Sequence, residues 1–218
     1  MNFLQICQEA NRLASMQGTV SDVTVTTGYQ VNLINHVVNA WVNIQNYRND
    51  WPFMRSSGTF NTVAGTTSYT LSSEGISDLK RFAYLTYEDS NGNQVRIKKI
   101  SYDEYVLRNI DQRSNSAPTV FAEDLVDRHI IYMNPPDDAY TITVHYYTEP
   151  VELSADSDIP KLPVSYHNLI AYMAAMYMCH EYGNANLYDK NRESADHMMG
   201  NLLRDHLPSK RMKVRGIA

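Results

Sequence analysis

The sequence predicts an α+β fold: a small helical bundle of two N-terminal and two C-terminal helices, an inserted and mainly antiparallel β-domain, and an extended C-terminal arm. Three observations carry this. Apolar residues recur at helical spacing up to Asn49 and again from Tyr166. Between residues 56 and 150 they fall instead in short alternating runs separated by turn residues. The last ten residues hold Lys210, Arg211, Lys213 and Arg215 and no acid. The expected segments are 1–55 and 151–208 for the bundle, 56–150 for the β-domain and 209–218 for the arm.

Asn2 followed by Gln5 has the spacing of a reciprocal N-cap, and Phe3, Ile6, Cys7, Ala10, Leu13 and Ala14 then mark one face of a helix ending near Gly18. Residues 19–27 are β-branched and polar, which suits an extended connection. From Gly28 to Asn49, Val31, Ile34, Val38, Trp41 and Val42 interleave with Leu33, Val37, Ala40, Ile44 and Tyr47. Two adjacent apolar stripes predict a helix packed on more than one side. Pro52 is expected to stop it, because the residue before a proline is pushed out of the helical region.

In the β-domain, residues 58–71 read as two short strands around Ala64-Gly65. Leu79–Tyr87 and Gln94–Ile100 flank Ser90-Asn91-Gly92, a strong hairpin signal. Ser101 with Glu104 has capping-box spacing and predicts a short helix to about Asn109. A polar loop over 111–117 precedes strands at 119–122, 129–133 and 140–147. An irregular acidic crossing from Glu149 to Leu162 leads to Pro163 in a first helical turn. Tyr166–Tyr182 is apolar almost all round, which places it centrally in a core or an assembly. Gly183 ends it, and a last amphipathic helix runs from Ala185 to Leu207 before Pro208.

The 218 residues are 43% apolar, an ordinary globular composition. Sixteen Tyr against five Phe and two Trp favour contact surfaces, since a Tyr ring can pack while its hydroxyl stays wet. Net charge is −5, and setting aside the four cations of the last ten residues leaves −9 on residues 1–208. The body is acidic and the tail basic, as suits an arm that docks on an acidic partner. Cys7 and Cys179 lie in apolar helical patterns with no CxxC or Cys/His set, and read as core residues. No signal-peptide pattern opens the sequence, and the longest apolar run, 169–179, falls short of the ~20 residues that span a bilayer. A soluble protein made in a cytoplasm is expected, with no membrane contact.

Motifs for chemistry are missing. His180-Glu181 has no second His at i+4, so a zincin helix is excluded and no metal site is expected. Cys179 and His180 point about 100° apart on a helix and make no nucleophile and base pair. Asp137/Asp138 and Asp156/Asp158 sit in turn-like stretches, where Asp bonds to local backbone. No GxxxxGK[ST], GxGxxG or GxSxG occurs, so no nucleotide cofactor and no catalytic residue is assigned. Arg96, Lys98 and Lys99 lie on the hairpin without aromatic residues interleaved, and read as a solvated strand face.

One set of segments comprises Asp50-Trp51-Pro52-Phe53-Met54, then 60–69 (Phe-Asn-Thr-Val-Ala-Gly-Thr-Thr-Ser-Tyr), Tyr140–Val144, 146–156, and Ile159-Pro160 through Leu162-Pro163, Tyr166–Ile170 and Tyr172. Taken in order, it resembles the head-to-tail adaptor, or connector, proteins of tailed bacteriophages. Order and spacing match over roughly residues 3–207. The resemblance implies a β-hairpin after the second helix and a non-enzymatic virion protein. It also implies a ring, usually of twelve copies, beneath the portal protein at the virion neck, assembled in the host cytoplasm. Tail, nozzle or fibre proteins would attach to it, and double-stranded DNA would pass its channel without sequence-specific binding. By position and charge, Lys210, Arg211, Lys213 and Arg215 are assigned to the portal contact. Tyr172, Met173, Met176 and Tyr177 are assigned to the subunit interface. Trp51 and Phe53 are expected to pin the β-domain onto the bundle while Pro52 ends the helix. Two competing readings are a cell-wall-degrading virion enzyme, which needs two carboxyls ~5–9.5 Å apart in a cleft, and a neck or tail-completion subunit not bound to the portal.

Overall fold

The computed structural model describes residues 1–25 and 27–206. The architecture is α+β: four helices of two or more turns, and a curled seven-stranded mixed sheet inserted in the chain between the second and third of them. The described residues divide into two compact units, Met1–Phe53 with residues 150–206, and Met54–Glu149.

In the helical unit, α1 (Phe3–Leu13) begins at the expected capping box, with the Gln5 amide bonded to Asn2 Oδ1 and the Asn2 amide to Gln5 Oε1, both 2.9 Å. The 150–162 crossing adds to that N-terminus: the Phe3 amide donates to the Asp158 carbonyl at 2.8 Å. Phe3, Ile6, Cys7 and Ala10 are buried at helical spacing. The helix stops at Leu13, short of Gly18, and buried Asn191 donates its amide to the Leu13 carbonyl, one of the last four left without an intrahelical partner.

α2 (Tyr29–Tyr47) buries Leu33, Ile34, Val37, Ala40, Trp41 and Ile44. Pro52 does not terminate it. The chain turns extended at Arg48 (φ −142°, ψ 153°), held by an Arg48–Asp50 ion pair of 2.8 Å, and Pro52 instead opens a 3₁₀ turn over Pro52–Met54.

A 3₁₀ turn, Val164–Tyr166, leads into α3 (His167–Glu181), and α4 (Ala185–His206) follows Gly183, whose φ of +72° gives the left-handed exit that glycine adopts without strain. α3 packs against α1, α2 and α4 of its own chain. That accounts for most of its all-round apolarity. Ala171, Ala174 and Ala175 allow close approach, and Leu169, Ile170, Met178 and Cys179 are buried.

A six-residue helix, Tyr102–Leu107, lies in the β-unit. Its cap is Ser101 Oγ, which accepts from the Glu104 amide at 3.1 Å. The strands are β1 (Arg55–Asn61), β2 (Ser68–Thr70), β3 (Leu79–Glu88), β4 (Gln94–Lys99), β5 (Val120–Glu123), β6 (Ile130–Met133) and β7 (Thr141–Thr148), in the order β1-β7-β3-β4-β5-β6-β2. β4 and β5 pair parallel, and the other ladders are antiparallel. The Asn-Gly hairpin forms as expected, with Asp89 Oδ1 accepting from the Asn91 and Asn93 amides.

The hairpin expected at 58–71 does not form. β1 pairs with β7 and β2 with β6, at opposite ends of the strand order, because each finds a longer-range partner that buries its apolar face. Curling of the sheet still brings the two together through side chains, with Phe60 and Tyr69 ring centres 5.1 Å apart in the core. That core joins Leu71, Ile76, Phe82, Leu85, Ile97, Phe121, Ile131, Met133, Ile142 and Val144. Gly58 permits the closure, since a Cβ there would lie 2.7 Å from Ile76 Cγ1. Asn134, 2% exposed, secures the β5 approach. Its Oδ1 accepts from the Thr119 amide at 2.9 Å and its Nδ2 donates to the Ala117 carbonyl at 3.1 Å.

Candidate functional site

The sequence points to surfaces rather than to a reaction centre, and the structure places two of the three candidate sets. Trp51 is fully buried, and its indole Nε1 donates to the Ile44 carbonyl at 2.7 Å. Ile44 is among the last four residues of α2, so the indole satisfies a carbonyl that the helix leaves orphaned. Phe53 stacks on Trp51 (5.2 Å, 23°) and on Trp41 of α2 (6.1 Å, 30°). The three rings form a staircase with Phe53 in the middle that fixes the exit of the chain from the helix, and Pro52, between Trp51 and Phe53 in the chain, is exposed.

On α3, Tyr172, Met173, Met176 and Tyr177 are each half-buried while their helical neighbours are buried. Their i, i+1, i+4, i+5 spacing puts them on one stripe. Beside it a groove is lined by His36, Asn39, Asn43, Met176, Tyr177 and Tyr188. Polar contacts hold its wall: Glu181 accepts from Asn32 Nδ2 at 2.6 Å and lies 2.8 Å from His36 Nε2, and Asn43 donates to the Tyr177 hydroxyl at 3.3 Å. Lys210, Arg211, Lys213 and Arg215 lie outside the described residues.

Sequence reasoning missed a third surface. Arg55 on β1 and Arg96 on β4 hold their guanidinium carbons 5.6 and 5.1 Å from the ring centre of Tyr84 on β3, and Tyr84 stacks on His145 of β7 at 4.4 Å and 30°. Burial, and then the charge of Arg55, lowers the His145 pKa below its ordinary value. The hairpin cations therefore do have aromatic partners. Interleaving arises across strands rather than along them, and the β3–β7 register shift between Phe82 and Tyr84 turns Phe82 inward and Tyr84 outward. Alternation in β4 could have shown Arg96 and Lys98 facing out, but the irregularity in β3 breaks the period before Tyr84, and its β7 neighbour is about sixty residues away in the chain.

The groups that chemistry would use are employed structurally. Asp158 Oδ2 accepts from the Ser154 and Ala155 amides at 2.8 Å, and these bonds hold its pKa below the usual carboxylate range. Asp156 Oδ1 accepts from the Val23 amide at 2.9 Å. Asp138 bonds the Ala139 amide, whereas Asp137 accepts from the Tyr140 hydroxyl and, with burial next, pushes that phenol up to about 12. Burial pushes the Cys7 thiol up to about 12, with the Asp156 charge adding to it, and raises Cys179 too, so neither is a thiolate nucleophile near neutral pH. Among the described residues no three His, Cys, Asp or Glu side chains gather as metal ligands, and no helix is long and apolar enough to cross a membrane.

The family model described as SU10 adaptor protein matches residues 1–210. No curated protein matches the sequence. The match takes in both helical segments and the whole inserted sheet, in keeping with the resemblance to phage head-to-tail adaptors carried by the segments from Asp50 to Tyr172. The chain belongs to the SU10 adaptor protein family.

Proposed function

We propose that the protein is a structural component of the virion neck, a head-to-tail adaptor that assembles as a ring of twelve copies beneath the portal. The ring extends the channel through which double-stranded DNA passes and presents a platform to tail or nozzle proteins. The observation that carries this reading is membership of the adaptor family along residues 1–210. The stripe of Tyr172, Met173, Met176 and Tyr177 supports it, being an apolar strip on a helix whose other faces are buried within its own chain. Such a strip suits a head-to-tail contact that closes by rotation. Trp51, Pro52 and Phe53 serve by fixing the exit of the chain from α2. In this reading Lys210, Arg211, Lys213 and Arg215 form the portal contact, each weak alone and multiplied around the ring.

Removal of residues 209–218 tests the arm. Expected is loss of binding to portal protein in co-sedimentation, with the melting curve unchanged. Undiminished portal binding by the truncated protein overturns the role given to the arm. Hydrolysis of peptidoglycan by the purified protein, abolished by a single Asp or Glu substitution, would overturn the structural reading in favour of a cell-wall enzyme.

A further inference from the structure

We propose that the outward face of β1, β7, β3 and β4 binds the sugar–phosphate backbone of nucleic acid without reading its sequence. Strand alternation places Arg55, Arg81, Arg96 and Lys98 on this face, and all four are exposed. None of them forms an ion pair among the described residues, whereas neighbouring Lys99 pairs with Glu123 at 2.9 Å. The carboxylates of these strands stand at their ends: Glu88 closes β3 and Glu149 follows β7. Four strands at about 4.8 Å spacing spread the cations over ~14 Å. That breadth suits a ligand with repeated charges rather than a single small anion.

The cations are also oriented. Arg55 and Arg96 share the Tyr84 ring, and a guanidinium stacked on a ring keeps its N–H edge free for in-plane bonds to an oxyanion. Thr86, opposite Arg96 on one side and Thr143 on the other, is 9% exposed, and its hydroxyl has no hydrogen-bond partner. A buried hydroxyl without a partner is costly, and it lies on the same side of the sheet as the cations.

The chemistry of the face favours nucleic acid over an acidic protein. A protein interface is anchored by large apolar or aromatic side chains buried at its centre. This face offers cations, hydroxyls and rings already stacked, while exposed Val106, Leu107, Leu125 and Val126 lie outside these four strands. Backbone recognition needs only charge and donors. Residues 1–208 carry a net charge of −9, which disfavours phosphate contact away from this face, and the basic tail is tested separately. The inference does not depend on ring formation and is tested on the free chain.

Fluorescence anisotropy on a labelled duplex and a labelled single strand, each in two unrelated sequences, is measured against salt for the full chain and for R55Q/R96Q. Expected is a log K against log salt slope shallower by about 1.8 on duplex and about 1.4 on single strand in the variant. Low-salt affinity should weaken at least about tenfold, with both sequences bound alike. R55K/R96K keeps the charge and should keep the slope, and K210Q/R211Q separates any contribution of the basic tail. Coincident slopes for the full chain and R55Q/R96Q, at equal thermal stability, overturn the proposal. Polyglutamate that displaces the probe as well as unlabelled nucleic acid of equal charge also overturns it, assigning the face to an acidic protein. If R55Q/R96Q melts early, R55K/R96K decides, because loss of its slope in a folded protein excludes a simple charge contact.

Discussion

The indole Nε1 of Trp51 donates to the carbonyl of Ile44 at 2.7 Å, so a residue outside α2 completes the hydrogen bonding of its last turn. Trp51 is fully buried, which makes that bond inaccessible to water as a substitute. Trp51→Phe keeps an aromatic ring but leaves the carbonyl orphaned, and is expected to cost about 1–3 kcal/mol. Trp51→Ala also empties the stack on Phe53 and should cost about 3–5 kcal/mol. Urea denaturation measures both, and a Trp51→Phe variant as stable as the parent protein would show that the hydrogen bond contributes nothing.

Gly58 and Ile76 are fitted to each other across the curl of the sheet. Gly58→Ala sets a methyl 2.7 Å from Ile76 Cγ1 and should destabilise by about 1–3 kcal/mol through overpacking. The double variant G58A/I76A should lose less than the sum of its single variants, because the added methyl occupies space the isoleucine vacates. Strict additivity in a denaturation cycle would count against this contact.

His167 gives the helical unit a pH dependence. Its ring is 1% exposed, Nε2 donates to the Leu162 carbonyl at 2.8 Å, and burial lowers its pKa from the ordinary 6.5. The unfolded chain therefore takes up the proton before the folded one does. The stabilisation is fully present above about pH 6.5 and is lost as pH falls below it. Thermal melts should show stability dropping between pH 7 and pH 5, with a flatter profile in His167→Gln. A variant profile parallel to that of the parent would assign the acid sensitivity to other groups.

Met173 and Met176 are half-buried on α3, so a charge at either can be solvated in the free chain. Met173→Glu and Met176→Glu should change folding stability by less than about 1 kcal/mol. In the ring, the same charge would be buried without a partner, and sedimentation velocity in the presence of portal protein should show assembly lost. A variant that still assembles would remove this stripe from the subunit interface.

Local signals in the sequence determined several features whose partners lie within a few residues. The Asn2–Gln5 box, the Ser101 cap, the Asn91-Gly92 hairpin and the Gly183 exit all appear where spacing placed them. Capping and turn chemistry are settled by neighbours in the chain, and helical period by one face of one element. The α+β class and the order of helices and strands followed from the same signals.

Tertiary structure decided what depends on partners distant in the chain. β1 could have closed on β2, but pairing with β7 about eighty residues away buries Phe60 in the sheet core, and only the curl then brings Phe60 to Tyr69. The end of α2 was set by Arg48 and by the returning indole of Trp51 rather than by Pro52. The face of Arg55, Tyr84, Arg96 and His145 exists only after four strands from three regions of the chain are aligned in register. A sequence records which side of its own strand a residue occupies. Which residues stand beside it on the sheet is fixed by long-range burial, because the apolar surface removed from water selects the pairing.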